Sequence, residues 1–316
     1  MRNPVGLFML GGICMTSYPK KVLSIQQQYQ TYIDAGMTVP CPQEAMEALS
    51  TIGYYRLRGY SFHLYDPSSK KYQPNTSFSD ILALYRFDTE LSHLLFSYLS
   101  AVEVALRTRL IDALLIYGEP LVLNDPSVFS DKQKYWQNQG IISAEVARSS
   151  DVFIKHNFDR HDGLVPLWAT VEVMSFGSLS KTVKNLKTGS GSAYDALAEH
   201  YKFHSPKNHL VKPSMQMMSS WIHTCVVLRN MCAHNSRIYN RAIHTTPRLI
   251  ANDAIATPTR YSGAYSAILA MKYLRPTDTA WTEFVVQFQN LVKKYASVVD
   301  LKQMGFPADW MSHFTL

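Results

Sequence analysis

Phe78 to Gly118 reads FSDILALYRFDTELSHLLFSYLSAVEVALRTRLIDALLIYG. Its apolar side chains fall at Ile81, Leu84, Tyr85, Leu91, Leu94, Leu95, Tyr98, Val102, Ala105 and Leu106. That is the three-and-four spacing of a helix with one buried face. Thr76 or Ser77 stands before it as a cap and Gly118 closes it. The stretch therefore predicts about 40 residues of helix, either one very long helix or two joined at a kink.

The same period governs the chain on both sides. Upstream, Ser24 can cap a helix through IQQQYQTYIDAG that Gly36 ends, and a short helix starts at Pro42 and runs to Leu49. IGYYRLRGYSFHLYD is aromatic and β-leaning, with an irregular or hairpin feature expected near 53–65, and DPSSKKYQPNTS reads as a plain loop. Downstream, a loop with Pro120 and Pro126 leads to helices expected near Lys132–Gln139 and 143–157. Pro166 opens a helix through LWATVEVMSFG, and SLSKTVKNLK follows. TGSGS at 188–192 is a surface loop and SPKNHLVKP a second break. A strong helix is expected from Ser214 to Tyr239, then a Pro-punctuated connection, then two helices at Gly263–Leu274 and Ala280–Tyr295. The fold class read from this is all-α. No repeat and no Pro- or Gly-rich linker divides the 316 residues.

Composition sets the outer limits. Hydrophobic residues make up 47% and aromatics 12%, which excludes global disorder, while charged residues are only 17%. Lys and Arg number 31 against 24 Asp and Glu, a net charge of +7 that favours an anionic partner. Cys14, Cys41, Cys225 and Cys232 form no Cys-X-X-Cys pair, so neither a zinc site nor a disulfide scaffold is expected. They read as reduced thiols in a cytoplasmic protein. VGLFMLGGICM, from Val5 to Met15, is too short to span a bilayer and lacks the marks of a signal peptide. Residues 1–14 are expected to be an extension from an early start codon, with Met15 as the natural start, and no membrane partner is expected.

The segment that carries chemistry is LRNMCAHNSRIYNR, from Leu228 to Arg241. On a continuous helix Asn230, His234, Arg237 and Arg241 would fall at about 0, 40, −20 and 20°, one tight polar stripe. Cys225, Leu228, Cys232 and Tyr239 would form the opposite, buried face. Arg229 is offset from the stripe but long enough to reach His234. Arginine binds phosphate with planar, paired hydrogen bonds, and histidine exchanges a proton near neutral pH. Together they suit RNA cleavage without a metal. The bland alternative is a solvated helix face with a satisfied histidine.

Arg229-Asn230-Met231-Cys232-Ala233-His234 resembles the Arg-polar-X-X-X-His motif of the HEPN ribonucleases. With Trp221 upstream, the wider run is similar to the Abi-like abortive-infection family, the AbiD/AbiF group of bacterial phage-defence proteins. Further blocks resemble that group in order: IGYYRLRGYSFHLY (52–65), FSDILALYRFD (78–88), VEVALRTRL (102–110), RSSDVFIKH (148–156) and PLWATVEVMSFGSLSKTVKNL (166–186). The resemblance covers roughly residues 17–245. It implies a HEPN-type helical bundle at 78–316, read as one unit with its C-terminal helices, behind an N-terminal helical or wing region at 15–77. It implies a toxin that cuts RNA with Arg229, Asn230 and His234, and a homodimer, because one chain holds one full motif. Chemistry similar to that of RNA-guided type VI CRISPR effectors, and a small noncoding RNA as a further partner, are implied in the same way. The alternative from another class is a non-catalytic RNA-binding or assembly protein on the same fold.

Other residues carry weaker readings. Arg237 and Arg241 are candidate phosphate contacts. So are Arg148 and Lys155, seven apart and expected to share a face, with ion pairing or solvation as the blander reading. Arg56 and Arg58, among Tyr54, Tyr55, Tyr60 and Phe62, suit single-stranded RNA or an aromatic core with exposed arginines. Arg86 and Glu90 read as an i,i+4 surface pair, and Glu172, in an apolar helix, as the partner of an arginine. His200, His204 and His209 lack a metal-binding context, so no metal and no cofactor are expected. No phosphate-cradling glycine loop or nucleophile elbow supports an ATPase or an esterase.

Overall fold

The computed structural model describes residues 22–254 and 263–316. The expected extension at 1–14 and Cys14 lie outside them. The chain is all-α, with two two-residue hairpins among the described residues. It divides into two compact units, one ending at Ser79 and the other starting at Asp80.

The N-terminal unit holds α1 (Ile25–Asp34), α2 (Pro42–Thr51), α3 (Tyr54–Ser61) and the hairpin β1 (Tyr65–Asp66) with β2 (Lys71–Tyr72). Ser24 starts α1 through a capping box with Gln27, and Gly36 ends it at a φ of 84°. The β-leaning tyrosine segment folds as helix α3, and the hairpin falls in the following stretch that reads as a loop. Packing explains the difference. Tyr32, 1% exposed, stands 5.2 Å from Tyr54, 6.1 Å from Tyr72 and 5.4 Å from Phe78, ring to ring. A helix at 54–61 delivers Tyr54 to this cluster, and that burial outweighs the weak β preference of isolated aromatics.

The second unit is organised by α4 (Phe78–Leu114), which is a single helix of 37 residues. Ser77 Oγ accepts from the Ser79 N–H at its start. Leu84, Phe87, Leu91, Leu95, Leu99, Val102, Leu106 and Leu110 form its buried stripe. α5 (Lys132–Arg148) follows, then α6 (Val152–Arg160), α7 (Leu167–Val173) and α8 (Phe176–Asn185). The helix boundaries expected here shift. α5 runs straight through Gly140, and the break comes at 149–151, where Ser149 Oγ bonds Asp151 at 2.8 Å. The helix from Pro166 breaks at Met174, and Ser175 caps α8 afresh.

α9 (Ala193–Glu199) and the hairpin β3 (Phe203–His204) with β4 (Leu210–Val211) precede α10 (Met215–Ala233). α11 (Ala251–Ala254), α12 (Ala264–Tyr273), α13 (Asp278–Lys294) and α14 (Trp310–Phe314) complete the unit. α10 packs on α8 and α12. α12 is buried on nearly every side, under aromatics of the last two helices. Among the described residues no helix is long and apolar enough to cross a membrane.

Two carboxylates of α4, one half-exposed and one buried, pin the frame. Glu90 is taken by Lys294 Nζ at 2.7 Å and the Tyr295 hydroxyl at 2.7 Å, which hold its carboxyl below the usual range. Asp88, 3% exposed, accepts from the backbone N–H of Ile238 at 3.0 Å and of Tyr239 at 2.7 Å. A carboxylate is the acceptor that can take both donors at once. Replacing Asp88 by alanine leaves both buried N–H groups without that acceptor, at about 1–3 kcal/mol each. Asp88→Ala is expected to lower the melting temperature by several degrees and to speed proteolysis at 235–240. Thermal unfolding with limited proteolysis reads both.

Candidate active site

α10 ends at the residues that matter. Trp221, Cys225, Leu228 and Cys232 are its buried face, and burial pushes the Cys232 thiol up to about 11. The helix expected to continue to Tyr239 stops at Ala233. His234 is the cap residue, and Asn235 takes a left-handed φ of 49°. The Asn235 N–H donates to the Cys232 carbonyl at 3.0 Å and the Ser236 N–H to the Met231 carbonyl at 2.8 Å. This paired arrangement is a Schellman stop, with asparagine in the place glycine most often fills. Tyr239 is buried as the helical reading expects, but it reaches the core from the turn, edge-on to Phe87 at 6.0 Å.

The polar stripe is therefore not a helical stripe. Asn230 lies on the last turn of α10 and is exposed. His234 is exposed at the cap. Arg237 is half-buried in the turn that Asp88 holds, and Arg241 is exposed beyond Asn240, whose φ is 50°.

Arg229 is fixed on three sides. Its Nη2 lies 3.6 Å from Glu103 Oε2, its Nη1 donates to Asn230 Oδ1 at 3.3 Å, and its guanidinium stands 5.8 Å from the centre of the Phe96 ring. About a third of the side chain (34%) stays open. Glu103 is buried, 8% exposed, and its other oxygen pairs with Arg107. Arg107 also donates to the Val171 and Glu172 carbonyls in the last turn of α7. One buried carboxylate thus serves two guanidinium groups, and the second closes the end of a third helix.

Glu103 and Arg107 sit in the VEVALRTRL block but received no role from the sequence. Their i,i+4 spacing beside buried Val102 and Leu106 was the available signal. Glu172, expected to pair with an arginine, is exposed, and its carbonyl rather than its carboxylate meets Arg107.

The remaining candidates lie apart from this turn along the chain. Arg148 is exposed at the end of α5, 3.9 Å from the buried carboxylate of Glu145, and Lys155 is exposed on α6. The break at 149–151 puts them on separate helices, so they share no helix face. Arg56 and Arg58 belong to the N-terminal unit. Arg56 is exposed, whereas Arg58 donates to the Tyr54 hydroxyl at 2.6 Å and lies 5.0 Å from the Tyr65 ring centre. Among the described residues no group of three His, Cys, Asp or Glu side chains is arranged to hold a metal ion. His200 faces Asp112 at 3.5 Å.

Removing one member of a buried ion pair costs about 3–5 kcal/mol, because its partners stay buried without a counter-charge. Glu103→Ala is expected to approach that loss in urea unfolding. Glu103→Gln, which keeps the shape and one acceptor, is expected to fall between it and the parent. An unchanged unfolding midpoint in both would mean that the carboxylate does not brace the two arginines.

A family model described as Abi-like protein matches residues 47–240, more than half of the chain. The match takes in all of α4 to α10 and the Arg229–His234 turn. No curated protein and no solved structure matches the chain. The protein belongs to the Abi-like family.

Proposed function

We propose that this protein is a metal-independent endoribonuclease that acts as a toxin in abortive infection. Its family associates it with that form of phage defence. One observation carries the catalytic part: Arg229 is locked at Glu103 and Asn230 yet a third open, one helical turn before an exposed histidine.

The chemistry rests on those groups. A base takes the proton of a ribose 2′-hydroxyl, and the oxygen attacks the adjacent phosphorus. An acid protonates the departing 5′-oxygen. The products are a 2′,3′-cyclic phosphate and a free 5′-hydroxyl. His234 is the proton-transfer group. Arg229 stabilises the charge of the phosphorane, preset by Glu103 so that little reorganisation is needed. Asn230 holds the guanidinium and offers its amide N–H groups to a phosphate oxygen. Two copies of the chain, each bringing one His234, complete the cleft. The exposed side of α4 next to it carries Phe96 and Val104, 37% and 62% exposed, which suit such a contact. Arg237 and Arg241 are proposed phosphate contacts beyond the cleft. Arg148, Lys155, Arg56 and Arg58 are secondary ones, of which Arg58 is the weakest because tyrosines already occupy it.

The second reading, a non-catalytic RNA-binding protein, draws on the same ion pair, since Arg229 bound to Glu103 would also serve a purely structural end. Purified His234→Ala and Arg229→Ala chains separate the two. Loss of a positioned acid or base costs about 10²–10⁴-fold, and loss of a charge stabiliser about 10²–10³-fold. Cleavage in EDTA is expected to fall by those factors at a nearly parental melting temperature for His234→Ala. A folded His234→Ala chain that cuts RNA at the parental rate defeats the assignment.

Binding has its own test. Affinity for RNA is expected to fall steeply with salt, and Arg237→Ala with Arg241→Ala is expected to flatten that slope. Sedimentation at micromolar concentration is expected to give a dimer, and an active monomer would rule out the shared cleft.

A further inference from the structure

By the order of their contacts α4 and α10 run antiparallel. On α4, Ser92 faces α10, its hydroxyl donating to the Cys232 carbonyl at 3.5 Å. On α10, Arg229 faces α4, reaching Glu103 and the Phe96 ring. One residue further along a helix is a rotation of about 100°. Because the helices run in opposite directions, that step carries His93 on α4 and Asn230 on α10 to the same side of the plane through both axes. Both are exposed, as this requires. Their levels agree as well. Ser92 lies against Cys232 and Phe96 against Arg229, so His93 falls between those two levels, beside the end of α10 that His234 caps.

Between Leu91 and Leu106, His93 is the one exposed side chain of α4 that carries an N–H donor. Its exposed neighbours there are Phe96, Ser97, Ala101 and Val104. Ser100, half-buried, spends its hydroxyl on the Phe96 carbonyl at 2.9 Å. Glu90 stands three residues back, and its oxygens are taken by Lys294 Nζ and the Tyr295 hydroxyl. After those two partners, the charge of His93 adds a smaller share to holding the Glu90 carboxyl down. Among the described residues no hydrogen bond and no ion pair holds the His93 ring itself. A histidine with both ring nitrogens open at the lip of a site is placed for a ligand rather than for the fold.

We infer that His93 is a further RNA contact of the Arg229–His234 site, its ring N–H on the phosphate next to the one that is cut. The inference rests on the reading of that site as one that binds RNA, and extends it across to α4. Packed helices lie about 8–10 Å apart. With Arg229 and His234 of α10 on the scissile phosphate, a group on α4 is one step away along the strand and meets the neighbouring phosphate. Proton transfer on the two sides of the phosphorus belongs to the His234 side chains of the paired chains, which leaves binding to His93. A phosphate oxygen accepts from imidazole in either state, since the neutral ring carries one N–H and the charged ring two.

The full chain and three variants, His93→Ala, His93→Gln and His93→Glu, test it in EDTA on one mixed-sequence RNA oligonucleotide. Binding is measured on its 2′-O-methyl form, which 2′-hydroxyl attack cannot cut, and cleavage on the unmodified form. His93→Ala is expected to raise Kd and KM about tenfold, the worth of one hydrogen bond to a charged group, and to leave kcat near the parental value. His93→Gln keeps an N–H donor and is expected to recover part of the loss. His93→Glu sets a carboxylate against the phosphate and is expected to exceed it. Because the side chain is exposed and unheld, all three are expected to melt near the parental temperature. The inference is overturned by a parent chain that binds no RNA, by a Kd that none of the variants raises, or by weakening that appears only where the melting temperature falls. A kcat that falls while Kd stays parental also overturns it, since His93 would then move a proton rather than hold a phosphate. A parent chain that binds the RNA without cutting it ends the ribonuclease reading and leaves the His93 contact to be read from Kd.

Discussion

A carboxylate taken almost out of water must be neutralised where it stands, and Glu103 on the buried side of α4 imposes that demand on its surroundings. Two guanidinium groups meet it. Arg107 comes from the same helix one turn on, and its remaining donors close the carbonyl end of α7. Arg229 comes from α10. Three helices are thereby tied at one charge. Its consequence for the site is orientation: an arginine whose fork is held on one side by a carboxylate and on the other by Asn230 has few rotamers left, so its open edge faces one direction.

A second carboxylate on the same helix decides where α10 ends. Along α4 the contacts come in the order Asp88, Ser92, Glu103. Along the facing stretch of the chain they come as Ile238 and Tyr239, then the Cys232 carbonyl, then Arg229. The two orders are opposite, as antiparallel neighbours require. α10 cannot run on to Tyr239 and also offer the backbone N–H groups of Ile238 and Tyr239 to Asp88, because an uninterrupted helix spends those donors on carbonyls four residues back. The Schellman stop at Asn235 frees them. His234 thus owes its place at an exposed helix end to a buried aspartate well back along α4.

Local signals and remote partners divide what was legible in the residues from what was not. α4 was legible because its apolar period is long and its ends are marked by Ser77 and Gly118. The motif residues were legible as types, since arginine, asparagine and histidine in that order carry their chemistry wherever the backbone puts them. Their geometry was not. A glycine at 235 would have announced the end of α10, whereas asparagine inside a polar run looks like more of the same helix. The break at 149–151 contains neither glycine nor proline, and its one signal, the cap residues Ser149 and Asp151, also fits a polar helix face. The tyrosines of α3 have side chains that favour strands in isolation and a helix only once Tyr32 and Phe78 are there to receive them. Glu172 and Glu103 each stand between two valines. Which one is buried depends on the face each helix turns inward, and that is decided by partners remote in sequence.

On the proposed reading, the turn also explains why one chain would not suffice. Transesterification needs a proton removed on one side of the phosphorus and delivered on the opposite side, since the attacking and leaving oxygens stand in line. A single imidazole on a short cap cannot occupy both sides. The described turn offers no second candidate next to His234: an amide such as Asn230 exchanges no proton near neutral pH, and a guanidinium donates hydrogen bonds but accepts none. Arg237 lies partly buried in the turn held by Asp88. The missing acid or base must come from elsewhere. On the same proposal a second copy would supply it at no cost in new chemistry, because the same exposed His234, beside the same braced Arg229, is the surface that a two-fold axis would duplicate.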